Sequence, residues 1–266
     1  MNEILARLDD MSREQRPLLG EDFVFAASRY TSAASFEVVH RELHFEETPL
    51  AVVRDLYLQH TENRHSSLQL TLGLAWNGFR DALTLAAQFA SSYQRAIPET
   101  TFFDAAIAQR LGDFGFAWAW ESKGEPDVIG FVRNNAFVGI QGHDAGKHSL
   151  ALARELDEEL SSLRTISSYQ DDGGGLTAEV RQREGEVPKV PTGGRLDLGV
   201  PPGEKASFFL TSSGSVNRDQ AKPSLRYFRA GAETGRQEIT LFTVGEGILP
   251  SRESLIVEVV ERGSER

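Results

Sequence analysis

Three consecutive glycines behind two aspartates, Asp171-Asp172-Gly173-Gly174-Gly175, divide this chain into stretches of different character. A regular element does not run through such a segment, because glycine loses more conformational freedom on ordering than any other residue. Before the seam, Leu150, Ala153, Leu156, Leu160 and Leu163 recur at helical spacing and predict a helix from about Ser149 to Leu163. After it, short apolar stretches such as "GRLDLGV", "QEITLFTVG" and "SLIVEVV" alternate with Gly, Pro and Asn turns and predict strands of a β-sandwich. The expected division is a domain at residues 1–168, a Gly-rich linker at 169–176 and a second domain at 177–266.

The first half mixes both periodicities. Leu68, Leu70, Leu72, Leu74 and Trp76 alternate as on a half-buried strand. Leu83, Ala86, Ala87, Ala90 and Tyr93 fall in helical register, and Pro98 lies just past their end. "FFDAAIAQRL", Phe102 to Leu111, reads as a shorter helix. Phe114, Phe116, Trp118 and Trp120 alternate again; a strand facing a helix is expected, with an apolar or sugar-binding groove as the alternative. "VIGFVRNNAFVGIQG" predicts a hairpin turning at Asn134-Asn135, because Asn tolerates positive φ. The pattern predicts an α+β domain, an antiparallel sheet with helices on one face.

Charge narrows the partners. Residues 1–170 carry 15 Lys+Arg against 24 Asp+Glu, and residues 171–266 carry 13 against 15. Neither half offers the basic surface that nucleic acid or anionic lipid requires. The chain has no cysteine, which removes disulfides, Cys-ligated zinc and Cys nucleophiles. It has no run of about 18 apolar residues, so no transmembrane segment is expected.

The stretches "LQLTLGLAWNGFRDALTLAAQF", "FGFAWAW", "FVRNNAFVGIQG" and "ALARELDEEL", from Leu68 to Leu163, resemble a module of uncharacterised bacterial envelope proteins and lipoproteins. This chain departs from that pattern after Asn135, where Ala136-Phe137 stand in place of Gly-Asn. "AGAETGRQEITLFTVGEGILPSRESLIVEVV" resembles bacterial immunoglobulin-like domains. The resemblances imply an immunoglobulin-like second domain and an exported protein of binding or structural type. Neither supplies catalytic residues.

Candidate chemistry concentrates in "VVHRELHFEE", Val38 to Glu47. As a strand, the segment places His40, Glu42, His44 and Glu46 on one face. Neighbours two apart are then close enough to share a metal, but His40 and His44 stand about 13 Å apart. As a helix, His40 and His44 would sit one turn apart with Glu47 beyond, a zinc-like set without the HExxH order. The strand, wet on its outer face, is the expectation; the candidate metal ligands are His40, His44 and Glu42, and the candidate metal is zinc. His60 and His65 sit in turn sequence, and a meander could bring His60 to His44. "GHDAGKHSL" holds His143, Asp144, Lys147 and His148 before a helix, with Asp144 or Ser149 near its N-cap; the spacing is that of no nucleotide loop. Ser212, Ser213 and Ser215 have no histidine after them, since the last is His148, and Asn217 and Asp219 lack a calcium-loop pattern.

The sequence therefore predicts a non-catalytic, exported bacterial protein at the cell envelope, binding a protein or polysaccharide and needing no cofactor. The compartment is extracytoplasmic if a leader preceded this chain, and cytoplasmic if Met1 is the native start. Two alternatives stand beside it: a metal-dependent hydrolase using the His40/His44 cluster with Glu42 or Glu47, and a cytosolic accessory or assembly protein.

Overall fold

The computed structural model describes Met11 and residues 13–94, 102–103, 110–119, 125–170, 176–178, 187–200, 206–220, 222 and 225–263. The chain forms two compact units, Met1–Tyr169 with Glu246–Leu249, and Gln170–Gly245 with Pro250–Arg266.

The first unit contains β1 (Leu18–Leu19), β2 (Phe36–Glu47), β3 (Leu50–His60), β4 (Ser67–Ala75), α1 (Phe79–Gln94), β5 (Phe102–Phe103), β6 (Phe114–Ala119), β7 (Val128–Arg133), β8 (Ala136–His143), α2 (Gly146–Ser162) and β9 (Thr165–Ile166). Seven strands form one antiparallel sheet in the order β2-β3-β4-β8-β7-β6-β5. The Asn134-Asn135 turn joins β7 to β8 as expected, with Asn134 at φ 54°.

Both faces of this sheet are covered over β4, β8, β7 and β6, while β2 at its edge is largely exposed. Leu68, Leu70, Leu72 and Leu74 share a core with Ile129, Phe131, Val138 and Ile140, and α2 adds Leu152, Leu156 and Leu160. The residues between them point the other way. On that side Phe114, Phe116, Trp118, Val132 and Phe137 pack with Phe79, Leu83, Leu85 and Ala86 of α1. The alternating aromatics are thus core, and Trp120 lies outside the described residues.

The expected fold, an α+β domain with helices on one face followed by an immunoglobulin-like sandwich, is corrected. The chain is mostly β, 48% strand against 16% helix, and the two α-helices among the described residues lie on opposite faces of the sheet. The physical reason lies in β7 and β8, whose near-continuous apolar runs leave neither face fit for water. The helix expected at 102–111 is corrected at its start: Phe102 and Phe103 pair as a strand with Ala119 and Trp118. Its middle, 104–109, lies outside the described residues.

The second unit contains β10 (Thr177–Ala178), β11 (Lys189–Pro191), β12 (Arg195–Gly199), β13 (Ala206–Thr211), β14 (Ser215–Arg218), β15 (Arg226–Arg229), β16 (Gly235–Val244) and β17 (Ser251–Val260). They form two four-stranded sheets, β10-β12-β15-β14 and β11-β17-β16-β13, the pair β11–β17 being parallel. Leu196, Leu198 and Phe228 of one sheet share a core with Ile239, Leu241, Val257 and Val259 of the other. Ile256, between the buried valines, is 42% exposed, so β17 keeps one side wet.

Candidate functional site: a polar patch on the sheet

The opening pair of strands carries the histidine-rich segment. β2 and β3 turn over Thr48-Pro49, with Glu47 opposite Leu50, and this register sets Glu42 opposite Asp55 and His44 opposite Val53. His40 keeps this register opposite Tyr57, and a bulge between His40 and Val38 shifts the pairing only beyond it, so that Val38 stands opposite Leu58. His40, Glu42 and His44 are exposed, as a solvated strand face requires.

Glu42 is the hub of the patch. Its Oε1 lies 2.8 Å from His40 Nε2, and its Oε2 lies 3.3 Å from His44 Nε2. His44 Nε2 is also 3.4 Å from Asp55 Oδ2, while the Thr71 hydroxyl donates to Asp55 Oδ1. The His40 hydrogen bond, reinforced by the His40 and His44 charges, holds the Glu42 carboxyl below the usual carboxylate range. Donor atoms of Glu42, His44 and Asp55 all lie within 4.8 Å of one another. Of the three expected ligands, His44 and Glu42 are brought together, and Asp55 completes the group in place of His40. Asp55 was legible only by counting back from the Thr48-Pro49 turn, because opposite residues there sum to a constant.

The same face continues across the sheet. Tyr57 stands opposite Gln69, and Gln69 opposite Gln141; one step along, Gln59 stands opposite Ser67, and Ser67 opposite His143. These six side chains and Val39 line a groove of about 290 Å³. Gln69 Nε2 donates to Tyr57 Oη at 3.4 Å, and the His40 ring lies 5.5 Å from the Tyr57 ring. Partial burial, then the charges of Asp55 and Glu42, push the Tyr57 phenol above its ordinary value. No Lys or Arg lines the groove. Elsewhere on this face α1 lies close: a Cβ on Gly139 would meet Phe89, and one on Gly73 would meet Leu85. Gln141 and Gln69 lie two residues along β8 and four along β4 from these glycines, on the same side of the sheet.

The other sequence candidates have local roles. His60 pairs with Phe36, at the far end of β2 from His44, so the two histidines do not meet. Its Nδ1 accepts from the N–H groups of Glu62 and Asn63, and its ring lies 6.3 Å from that of His148. The N-cap of α2 is Ala145, not Asp144 or Ser149, and no side chain caps it. Asp144 has φ 50°, and Ser149 Oγ is buried and donates back to Ala145 O at 3.3 Å. In the second unit, Asp219 accepts from Arg195 at 2.7 Å and from the Lys222 N–H at 3.0 Å.

A larger concavity of about 600 Å³ has a Trp76–Tyr169 stack in its lining. Beneath it Asn135 is fully buried: it accepts from Leu19 N and donates to Ala75 O and Tyr169 Oη. Tyr169 in turn donates to Leu19 O at 2.9 Å, and burial pushes its phenol up to about 12. These groups hold the hairpin turn and the β1 strand, and they belong to no periodic pattern along the chain.

No protein-family model matches the chain, and none of the curated proteins matches it. Among solved structures it is similar to a nucleoside hydrolase-related hypothetical protein from Saccharophagus degradans that is associated with carbohydrate metabolism. That similarity has 14% identity and a TM-score of 0.21, and covers 45% of this chain and 33% of the other. The chain therefore spans about a third of that protein's length, and a likeness at this level carries no argument about fold or function.

Proposed function

We propose that this chain is a non-catalytic binding protein whose first unit takes a neutral, polyhydroxylated ligand, a polysaccharide, in the Tyr57–Gln69–Gln141 groove. The observation that carries this is the lining itself. Three primary amides, two hydroxyls and an imidazole offer donors and acceptors in alternation, which is what sugar hydroxyls pair with. Tyr57 adds an aromatic surface beside them. An anionic ligand is disfavoured, because Glu42 and Asp55 border the groove and no cationic Lys or Arg lines it.

Calorimetric titration with a panel of neutral glucans, mannans and galactans tests the reading. Saturable binding is expected with at least one of them. Gln69→Ala and Tyr57→Ala should each weaken it by about tenfold, the value of one hydrogen bond or one ring contact. Saturable binding that survives both substitutions, or none with any neutral glycan, overturns the assignment. The hydrolase alternative rests on Glu42, His44 and Asp55; release of reducing ends from the same glycans in the presence of zinc would favour it.

A further inference from the structure

We propose that Glu42, His44 and Asp55 form a zinc site with three protein ligands and an open fourth position. The donor set is one imidazole and two carboxylates, which suits a borderline-soft divalent ion of tetrahedral preference. The two edges that meet at His44 fit as well, and the Glu42–Asp55 edge lies within 4.8 Å. A tetrahedron with bonds of about 2.0–2.1 Å has edges of about 3.3–3.4 Å. His44 Nε2 lies 3.3 Å from Glu42 Oε2 and 3.4 Å from Asp55 Oδ2.

Each carboxylate is also oriented by a group outside the trio. His40 Nε2 holds Glu42 Oε1 at 2.8 Å, which leaves Oε2 facing His44. The Thr71 hydroxyl holds Asp55 Oδ1, which leaves Oδ2 facing His44. Outer partners of this kind fix ligand geometry at metal sites. The base is rigid, since Glu42 and Asp55 stand directly opposite one another in the β2–β3 ladder. Three side chains leave the fourth position to water or to a ligand oxygen. His40 is a positioning residue here, acting through Glu42.

This site stands independently of the glycan reading, and its test uses the metal alone. Chelator-treated, tag-free full chain is titrated with zinc by calorimetry, then with cobalt followed by visible absorption. One equivalent is expected, with the intense visible bands of tetrahedral cobalt, and neither signal in His44→Ala or Asp55→Asn. His40→Ala and Thr71→Val should keep the stoichiometry and lose affinity by about tenfold or more. His40 and His44 are 57% and 46% exposed, so their variants keep the core; Asp55 and Thr71 are more buried, and circular dichroism with thermal unfolding verifies the fold of those two variants. Two results overturn the proposal: no stoichiometric zinc, or zinc that persists in His44→Ala and disappears in His60→Ala or His148→Ala. Glycan titrations repeated without metal show separately whether the groove binds, so the two assignments fail independently.

Discussion

Arg133, the last residue of β7, grips both carboxylate oxygens of Asp157 on α2, Nε to Oδ1 at 2.8 Å and Nη2 to Oδ2 at 2.9 Å. Asp157 also accepts from Gly112 N at 3.0 Å, and Asp113 accepts from Asn134 N at 2.7 Å. The helix is thereby tied to the strand and to the turn that follows it. Asp157 is only 8% exposed, so removing it leaves the Gly112 amide unpaired and the Arg133 guanidinium with Asp113 alone, at 3.4 Å. Asp157→Ala should cost about 3 kcal/mol in urea unfolding. A double-mutant cycle with Arg133→Ala should show a coupling of about 1 kcal/mol or more. Additive losses would mean the two groups do not interact as drawn.

Gly139 leaves the Phe89 ring of α1 room against the sheet. A Cβ there would lie 2.5 Å from Phe89 Cε2, well inside contact. Gly139→Ala should therefore destabilise by about 1–3 kcal/mol, the usual cost of overpacking. Phe89→Leu should restore part of it. Thermal unfolding of the single and double variants decides; an unchanged midpoint in Gly139→Ala would show that the helix stands further off.

Asn134 adopts φ 54°, a conformation strained for most L-residues. Asn134→Gly should leave stability nearly unchanged, while Asn134→Ala should cost about 1 kcal/mol. Equal midpoints for the two variants in denaturant would contradict a left-handed turn.

Tyr169 gives the alkaline limit a testable part. Its folded phenol is raised from 10.0 to about 12 by burial. A raised folded value means the native state holds its proton longer than the unfolded chain does. The associated stability is fully present below pH 10 and is lost as pH rises from about 10 to about 12. Tyr169→Phe lowers stability at neutral pH, through the lost bonds to Leu19 and Asn135, yet should flatten the pH dependence in that window. Denaturant midpoints at pH 8 to 12 measure it; parallel curves for the two proteins would rule out Tyr169 as a contributor.

Elements with a clean period were legible. Leu68 to Leu74 announced a strand, Leu150 to Leu160 a helix, and Asn134-Asn135 a turn, because each signal is local. The count of sheet faces was not. Ile129 and Val128 are adjacent apolar residues, and nothing local says that one meets α2 and the other α1. Asp55 was missed for a related reason: its partner Glu42 lies thirteen residues away and is fixed by ladder register.

By itself the sequence determined that Val38 to Glu47 is a strand with a wet outer face, that no cysteine chemistry is available, and that the second half is β. Alternation and composition are properties of neighbours along the chain, so they survive without a fold. Tertiary structure decided that the middle of the sheet is covered on both faces, that Asp55 rather than His40 joins Glu42 and His44, and that the glutamines of three strands form one groove. Each of these depends on register between strands and on which face a helix crosses, and packing of distant side chains sets both.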